Sequence, residues 1–398
     1  MSNELITNPH WLEPLFPESM PSSLLSLADR MRFEAGRLSG CLAPETAIRL
    51  GGLLRVTSSF YSNLIEGQFT EPLTLNANTT RRSSKQLNEL AVSHLAVQER
   101  FERLLIRRPD IPWCELFSPR FIALLHRRLF SGANADDLRL QDGSLMKPGQ
   151  LRDEARRNVL VGRHEAPYWS AVTPMLERMQ KVYGSLQDPR QRLLAAMAYH
   201  HRLAWVHPFP DGNGRVVRLL THLQLYKLGL VSPLWSLSRG LARQHDLYYA
   251  RLANADQPRR GDLDGRGQLT QAGLFEFMQF MLETSLDQMH YMIETMDRAK
   301  MRERLDRLIK LDDKIIDAGI KPGASRALHI LISQGTVSRS DFKVFLGLGE
   351  RVAIEQLKKL TELGLVESPT PKARDLYPGM PVWFAQSLFP DLHRRFVS

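Results

Sequence analysis

The chain has 398 residues, a length typical of two or three domains, and 43% of them are apolar, which is enough for a sizeable core. Its only cysteines, Cys41 and Cys114, exclude a disulfide framework and a thiolate zinc site. No apolar run approaches the roughly 20 residues of a membrane span, and the N-terminus has no secretory signal pattern. We therefore expect a cytoplasmic protein without membrane contact. The net charge of +10 decides little, because solvated faces and an anionic ligand account for it as well as nucleic acid does.

The first region, residues 1–110, is predicted to be helical and to serve packing. It contains an amphipathic stretch at residues 22–37 and a helix-permissive stretch at residues 43–65. Ser62 and Glu66 lie four residues apart near the end of the second stretch, so on a helix the hydroxyl lies beside the carboxylate and can orient it. Taken alone, this pattern indicates an ordinary exposed helix end.

The first region also contains a polar stretch at residues 70–84 that is predicted to be a loop. The second region comprises residues 111–290. His126 lies among apolar residues of a predicted helix, and we expect it to be a hydrogen-bonded core residue and not a catalyst. Residues 149–167 differ in character, because a short β-type run at residues 159–161 is bounded by turn-forming residues. This pattern predicts a hairpin.

Two helices joined by a tight loop are predicted around residues 207–218, which read HPFPDGNGRVVR, and the second helix-like segment runs from Val216 to Leu228. The preceding helix should start at Asp188, an N-cap residue followed by proline. The prolines and glycines of the loop cannot remain helical. Its backbone N–H groups then lie at the N-terminus of the second helix, where unpaired donors and the helix dipole favour an anion. Gly212 and Gly214 allow a phosphate to approach the backbone closely.

The side chains of the same stretch are those needed for phosphoryl or nucleotidyl transfer. His207 can exchange a proton near neutral pH. Asp211 is a hard oxygen ligand of the kind that Mg²⁺ takes beside phosphates. Arg215 and Arg218 lie three residues apart, so they project from one helix face, and their forked guanidinium groups suit phosphate oxygens. The alternative is a structural histidine beside a glycine-rich turn.

At these residues the chain resembles the Fic family, whose signature is HPFx[D/E]GNGRxxR, and residues 207–218 match every fixed position. The resemblance implies a mainly α fold, in which a Fic-type helical core carries a small β-hairpin flap. It also implies AMPylation, the transfer of AMP from ATP to a Ser, Thr or Tyr hydroxyl of a target protein. ATP is then the substrate, pyrophosphate leaves, and Mg²⁺ is the expected cofactor.

The resemblance assigns a role to each polar residue of the motif. His207 is expected to be the general base, and Asp211 is expected to hold Mg²⁺. Arg218 is expected to bind the γ-phosphate of ATP. The other expected phosphate-binding residues, which serve the α- and β-phosphates, are Gly212, Asn213, Gly214 and Arg215.

Residues 62–67 resemble the inhibitory motif of the family, [S/T]xxxE[G/N]. Such a motif places Glu66 against Arg218, with Ser62 beside it. The carboxylate then occupies the guanidinium fork that should bind the γ-phosphate. ATP can bind only in a pose whose α-phosphorus is misaligned for attack. We therefore expect Glu66 to inhibit transfer.

Two further expectations come from the resemblance. Residues 149–167 lie at the position of the family's flap, which binds the target segment by strand addition. The alternative is an ordinary hairpin packed on the core. Tyr249 and Asn254 are expected to contact the adenine base, with core packing as the alternative for both.

The C-terminal part is divided into a helical connector, residues 291–322, and a module, residues 323–398, that resembles a winged helix–turn–helix. Three short helices are predicted there, followed by β-like segments at residues 365–366 and 382–384. The predicted recognition helix, residues 351–363, carries mixed charge and no basic stripe. This favours protein interaction or homodimerisation over DNA binding.

Two functions from different classes follow. The first is AMPylation of a protein with an exposed hydroxyl, inhibited by Glu66; the same residues also allow the reverse use of that carboxylate, the orientation of water for AMP removal. The second is a DNA-binding regulator whose helical core only senses nucleotide. The complete motif at residues 207–218 favours the first.

Overall fold

The computed structural model describes residues 6–68, 85–155, 159–161, 164–231 and 234–393, and these are mainly α-helical. The fold class predicted from the sequence, a helical core with a small β-hairpin, is confirmed. Among the described helices, none is long and apolar enough to cross a membrane.

The N-terminal region is built from long helices that follow a short 3-10 helix at Pro9–Leu12. They are α1 (Ser22–Gly40), α2 (Pro44–Ile65) and α3 (Lys85–Arg107). Helix α2 starts with proline at its first position, where the missing N–H costs no hydrogen bond. It ends at Glu66, so the carboxylate predicted to be functional lies at the C-terminus of a buried helix.

The central region consists of seven helices and one hairpin within the described residues. The helices are α4 (Pro119–Leu129), α5 (Trp169–Gly184), α6 (Pro189–Val206), α7 (Asn213–Lys227), α8 (Leu237–Arg243), α9 (His245–Ala255) and α10 (Gln271–Thr295). The hairpin pairs β1 (Leu160–Val161) with β2 (His164–Glu165) in antiparallel register.

Helix α6 is the centre of this region, because every residue from 193 to 203 is buried. A helix that is buried on all sides must satisfy its polar side chains internally. His200 does so through Thr221 and Tyr248, each at 2.8 Å. His201 bonds Asp256 at 2.9 Å. Both histidines are therefore structural in this fold.

The C-terminal part adds six helices and a small sheet among the described residues. The helices are α11 (Arg298–Leu311), α12 (Asp313–Asp317), α13 (Gly323–Gln334), α14 (Arg339–Leu346), α15 (Glu350–Glu362) and α16 (Val382–Leu388). The strands are β3 (Val337–Ser338), β4 (Val366–Glu367) and β5 (Asp375–Pro378), in the antiparallel order β3-β5-β4. That this part is a winged helix, and that the domains divide at the predicted boundaries, stay predictions.

One predicted strand is a helix in the structure, and one predicted loop lies outside the described residues. Residues 382–384, expected to be β-like, begin α16, because Pro381 opens a helix whose residues Val382, Ala385 and Leu388 share one buried face. The strand that was not predicted is β5, which lies in the polar segment before α16. The loop predicted at residues 70–84 lies outside the described residues.

The start of α6 provides a test of the fold. The Asp188 side chain accepts hydrogen bonds from the N–H groups of Arg190 and Gln191, and Pro189 is the first helical residue, as predicted. Asp188→Ala should lower the free energy of unfolding by about 1 kcal/mol, because two helix donors lose their acceptor. Asp188→Asn, which can still cap, should change it little. Urea denaturation followed by circular dichroism measures both; equal loss in the two variants would contradict the capping role.

Candidate active site

The loop at residues 207–212 joins the C-terminus of α6 to the N-terminus of α7. His207 ends α6 in the left-handed region, at φ 48° and ψ 62°. Gly212 is also left-handed, at φ 79°, and an added Cβ would lie 2.4 Å from the ring of Phe130, so only glycine fits there. The Asn213 amide closes the loop, since it bonds both the N–H (2.9 Å) and the carbonyl (2.8 Å) of Phe209. This closure brings His207 to the start of α7.

The N-terminus of α7 is an anion site, and a carboxylate of the same chain occupies it. The first N–H groups of this helix have no partner within the helix, and its dipole favours negative charge. A Cβ added to Gly214 would lie 2.1 Å from Oε1 of Glu66. The carboxylate of Glu66 therefore lies directly over the glycine that we predicted to receive a phosphate.

Glu66 is paired with Arg218 at the bottom of this site. The Arg218 guanidinium donates to Glu66 Oε1 at 2.6 Å, to the Ser62 carbonyl at 2.8 Å and to Ser62 Oγ at 3.0 Å. Arg218 is 3% exposed and Ser62 is fully buried. Burial alone would raise the pKa of Glu66, but Arg218 and Arg215 hold that pKa below its usual value. The expected contact between Glu66 and Arg218 is thus present. Ser62 accepts hydrogen bonds from the Arg218 guanidinium, whereas the sequence suggested that its hydroxyl would orient the Glu66 carboxylate.

Arg215, the first arginine of the motif, is also buried and keeps donors for a further anion. Its guanidinium lies 5.3 Å from the ring centroid of Phe130. Among the described residues its Nε has no hydrogen-bond partner. Burial lowers the pKa of Arg215, and the nearby carboxylate of Glu66 partly restores it. A buried guanidinium with an unused donor beside a helix N-terminus is suited to a phosphate oxygen.

His207 is neutral at physiological pH. Burial lowers its pKa to about 4, and the positive charge of Arg152 adds to this effect. The Ala204 carbonyl opposes this lowering only in part. A neutral imidazole has one unprotonated ring nitrogen that can accept a proton, which is the property a general base needs.

Arg152 holds this histidine in place, and no sequence pattern indicated it. Its side chain is 2% exposed, and its Nε donates to the His207 carbonyl at 2.8 Å. The NH2 group donates to the carbonyls of Val206 (3.0 Å) and Pro167 (2.9 Å). The guanidinium therefore caps the C-terminus of α6, where carbonyls lack helical partners. It also ties the base of the hairpin segment to the histidine.

The hairpin expected at residues 149–167 is present, with Leu160 opposite Glu165 and Val161 opposite His164. His164 was likewise missed by sequence reasoning. Its Nε2 donates to the Trp205 carbonyl at 2.7 Å, and its Nδ1 lies 4.0 Å from Asp256. Residues 156–158 and 162–163 lie outside the described part. The hairpin is thus anchored two residues before His207.

Asp211 lies exposed at the mouth of the loop. Its Oδ1 accepts the Gly212 N–H at 2.6 Å, and its carbonyl accepts from His126 Nε2 at 3.1 Å. His126 accepts the Gly149 N–H on its other nitrogen, so it is a satisfied core residue, as predicted. In the described part of the chain no three potential ligands converge. A single exposed carboxylate fits Mg²⁺, because this ion takes most of its oxygens from water and substrate phosphates.

The two residues expected at the adenine base differ in their surroundings. Tyr249 is 41% exposed on α9, and burial and Glu66 raise its pKa, so it lies within electrostatic reach of the anion site. Asn254 lies on the surface, where its amide donates to Glu276 (3.1 Å) and accepts from Arg260 (2.7 Å). Both ends of this amide are engaged, and the contact of Tyr249 and Asn254 with adenine stays a prediction.

Known proteins that are similar to this chain belong to the family that the motif at residues 207–218 resembles. The family model described as Fic/DOC family matches residues 116–225. A stretch of 78 residues is 36% identical to a protein named "Protein adenylyltransferase Fic" from Drosophila persimilis, and it covers 19% of this chain and 15% of that relative. The match therefore spans well under two thirds of the relative.

Solved structures extend the likeness in fold beyond the motif. A Fic family protein from Desulfovibrio desulfuricans superposes with a TM-score of 0.51 at 18% identity, over 92% of this chain and 98% of that one. Fic-1 from C. elegans superposes with a TM-score of 0.51 at 19% identity, over 68% and 72% of the two chains. The chain therefore contains a domain of the Fic/DOC family.

Proposed function

We propose that the protein transfers AMP from ATP to a hydroxyl group of a target protein, and that Glu66 restrains this activity. One observation carries the proposal. The carboxylate of Glu66 lies over Gly214 and against Arg218, in a helix N-terminal anion site beside a neutral histidine. The name of the Drosophila relative, an adenylyltransferase, supports the reaction class.

In the proposed reaction the target hydroxyl oxygen attacks the α-phosphorus of ATP. The bond from this phosphorus to the oxygen that bridges to the β-phosphate breaks, and pyrophosphate leaves. His207 accepts the hydroxyl proton on the unprotonated nitrogen of its neutral ring. The unpaired N–H groups of Gly214 and Arg215 donate to oxygens that gain charge in the transition state.

The phosphate chain requires three positive partners. Arg215 offers its unused Nε to the β-phosphate region, and Arg218 offers its fork to the γ-phosphate. Asp211 would hold Mg²⁺, which neutralises charge on the leaving pyrophosphate when it is bound. The hairpin anchored by His164 and Arg152 presents the target segment next to the histidine, by strand addition.

Inhibition follows from competition between two anions for one guanidinium. While Glu66 is paired with Arg218, the γ-phosphate cannot bind that guanidinium. ATP then lacks the contact that aligns its α-phosphorus for attack. Removal of AMP from modified targets is a second candidate activity. It is favoured by the electrostatic contact between Glu66 and His207, a pair that could position a water.

His207→Ala should reduce AMP transfer by about 10²- to 10⁴-fold, because the hydroxyl loses its proton acceptor. The measurement is labelling of a cell lysate with α-³²P-ATP. His10→Ala, a change of an exposed histidine far along the chain, is the matched control and should keep full activity. Labelling that persists in the His207 variant would remove this residue from the mechanism. A regulator that only senses nucleotide would give no labelling with any variant, and would shift genomic DNA in a gel.

Glu66→Gly should increase self-labelling strongly, because Arg218 becomes available to the γ-phosphate. Glu66→Asp, whose carboxylate is shorter by one methylene and reaches Arg218 less well, should give an intermediate increase. Self-labelling with α-³²P-ATP measures both. Labelling that is unchanged in both variants would show that this carboxylate does not inhibit.

Arg152→Gln should slow transfer by about tenfold and move the acid limb of the pH–rate profile to higher pH. Burial and Arg152 depress the pKa of His207, so loss of the positive charge raises that pKa and extends protonation of the base toward neutrality. Arg152→Lys, which keeps the charge but loses the forked bonds, should slow transfer without moving the limb. Profiles are compared in the Glu66→Gly background after thermal melting confirms folding. An identical shift in both variants would contradict the electrostatic role.

A further inference from the structure

Helix α2, which ends at Glu66, is held at two places by the C-terminal module, here defined as residues 323–393. The first contact is at the start of the helix. Thr46 Oγ1 donates to the Ile332 carbonyl of α13 at 2.7 Å, in a buried position. Gly335, in the turn after α13, approaches so closely that an added Cβ would lie 2.8 Å from Cβ of Ala43. The guanidinium of Arg49 pairs with Glu367 and covers the ring of Tyr377.

The second contact is in the middle of α2 and is made by His393. Its Nε2 lies 2.8 Å from Oγ1 of Thr57. The Thr57 hydroxyl proton goes to the Leu53 carbonyl at 3.1 Å, so the histidine is the donor. The ring of His393 also meets the ring of Phe60 edge-on, with centroids 6.1 Å apart. Both side chains of the hydrogen bond are buried or nearly so.

The segment that carries His393 is fixed to the central region on its other side. Arg239 of α8 donates to the Asp391 carbonyl through its Nε (3.3 Å) and its NH2 (3.0 Å). The Tyr291 hydroxyl of α10 donates to the Pro390 carbonyl. The end of α16 and the turn after it therefore bridge the module, the central helices and α2. A displacement of the module would withdraw His393 from α2.

The two contacts differ in how directly they reach Glu66. Gly51 and Gly52 lie between them, and glycine weakens a helix more than any residue except proline. Thr57 is on the Glu66 side of this pair, nine residues before it, which is about 13 Å along an α-helix. The uninterrupted helical segment from Thr57 can transmit a displacement to the carboxylate. Gly51 and Gly52 separate the contact at Thr46 from the Glu66 carboxylate.

We propose that the C-terminal module sets how firmly Glu66 holds Arg218, through the hydrogen bond of His393 to Thr57. The inference rests on the proposed function, because it names the element that regulates the same site. The module therefore regulates the site. An event that moves residues 388–393 away from α2 frees the C-terminal end of this helix, and Glu66 then leaves the phosphate site.

Thr57→Val tests this proposal, because valine keeps the shape of threonine and removes the hydroxyl that accepts from His393. Self-labelling of the whole 398-residue chain with α-³²P-ATP should rise about three- to tenfold. His393→Ala should give a similar rise, and the double variant should rise no further than either single one. Thr57→Ser, which keeps the hydroxyl, is the matched control and should behave like the unmodified protein. In the Glu66→Gly background Thr57→Val should give no further rise.

Hydrogen exchange followed by mass spectrometry provides a readout that does not need catalysis. The amides of residues 60–66 should exchange faster in Thr57→Val than in Thr57→Ser. Faster exchange there, with an increase in labelling that requires Glu66, supports the proposal. Unchanged exchange at residues 60–66, or an equal increase with and without Glu66, overturns it. If Glu66→Gly shows no transfer at all, the proposed function fails, while the exchange result still decides whether the module holds α2.

Discussion

The whole site depends on one buried guanidinium, that of Arg218, which must have an anion. Removing a charge from water costs several kcal/mol unless a partner and hydrogen bonds compensate. Ser62 supplies two hydrogen bonds and Glu66 supplies the charge. We propose that a nucleotide phosphate replaces Glu66 at this helix N-terminus and this guanidinium, and that the exchange of anions is the switch between the restrained and the active protein.

Two helix ends meet at the loop of residues 207–212 and make the chemistry local. The C-terminus of α6 presents carbonyls, and Arg152 caps them while it holds His207 in a left-handed conformation. The N-terminus of α7 presents N–H groups, and the Glu66 carboxylate lies over its glycine Gly214. One short loop therefore places a neutral histidine beside a site for an anion. The positive charge of Arg152 also favours the neutral form of that histidine.

The motif could be interpreted from the sequence because its constraints are local. The helix start at Asp188, the loop at residues 207–212 and the adjacency of Ser62 and Glu66 all follow from spacings of a few residues. The pairing of Glu66 with Arg218 required the resemblance to a family, since the two residues are 152 positions apart.

What the sequence could not indicate depends on tertiary contacts. Arg152 is one of many arginines, and only the fold shows that it is buried on three carbonyls. His393 lies near the end of the chain in no motif, yet it contacts the helix that carries Glu66. The hydrogen bonds of Asn254 with Glu276 and Arg260 likewise follow only from the fold. Residues 382–384 have strand-like composition, and burial of one helical face overrides it.

The central claim, that Glu66 denies Arg218 to the γ-phosphate, is tested most directly by calorimetric titration of ATP and ADP. The two nucleotides differ only in the phosphate that Arg218 should bind. We expect the unmodified protein to bind both with similar Kd, and Glu66→Gly to bind ATP about tenfold more tightly than ADP, a difference of about 1.4 kcal/mol. The same ratio of ATP to ADP affinity in both proteins would contradict the account.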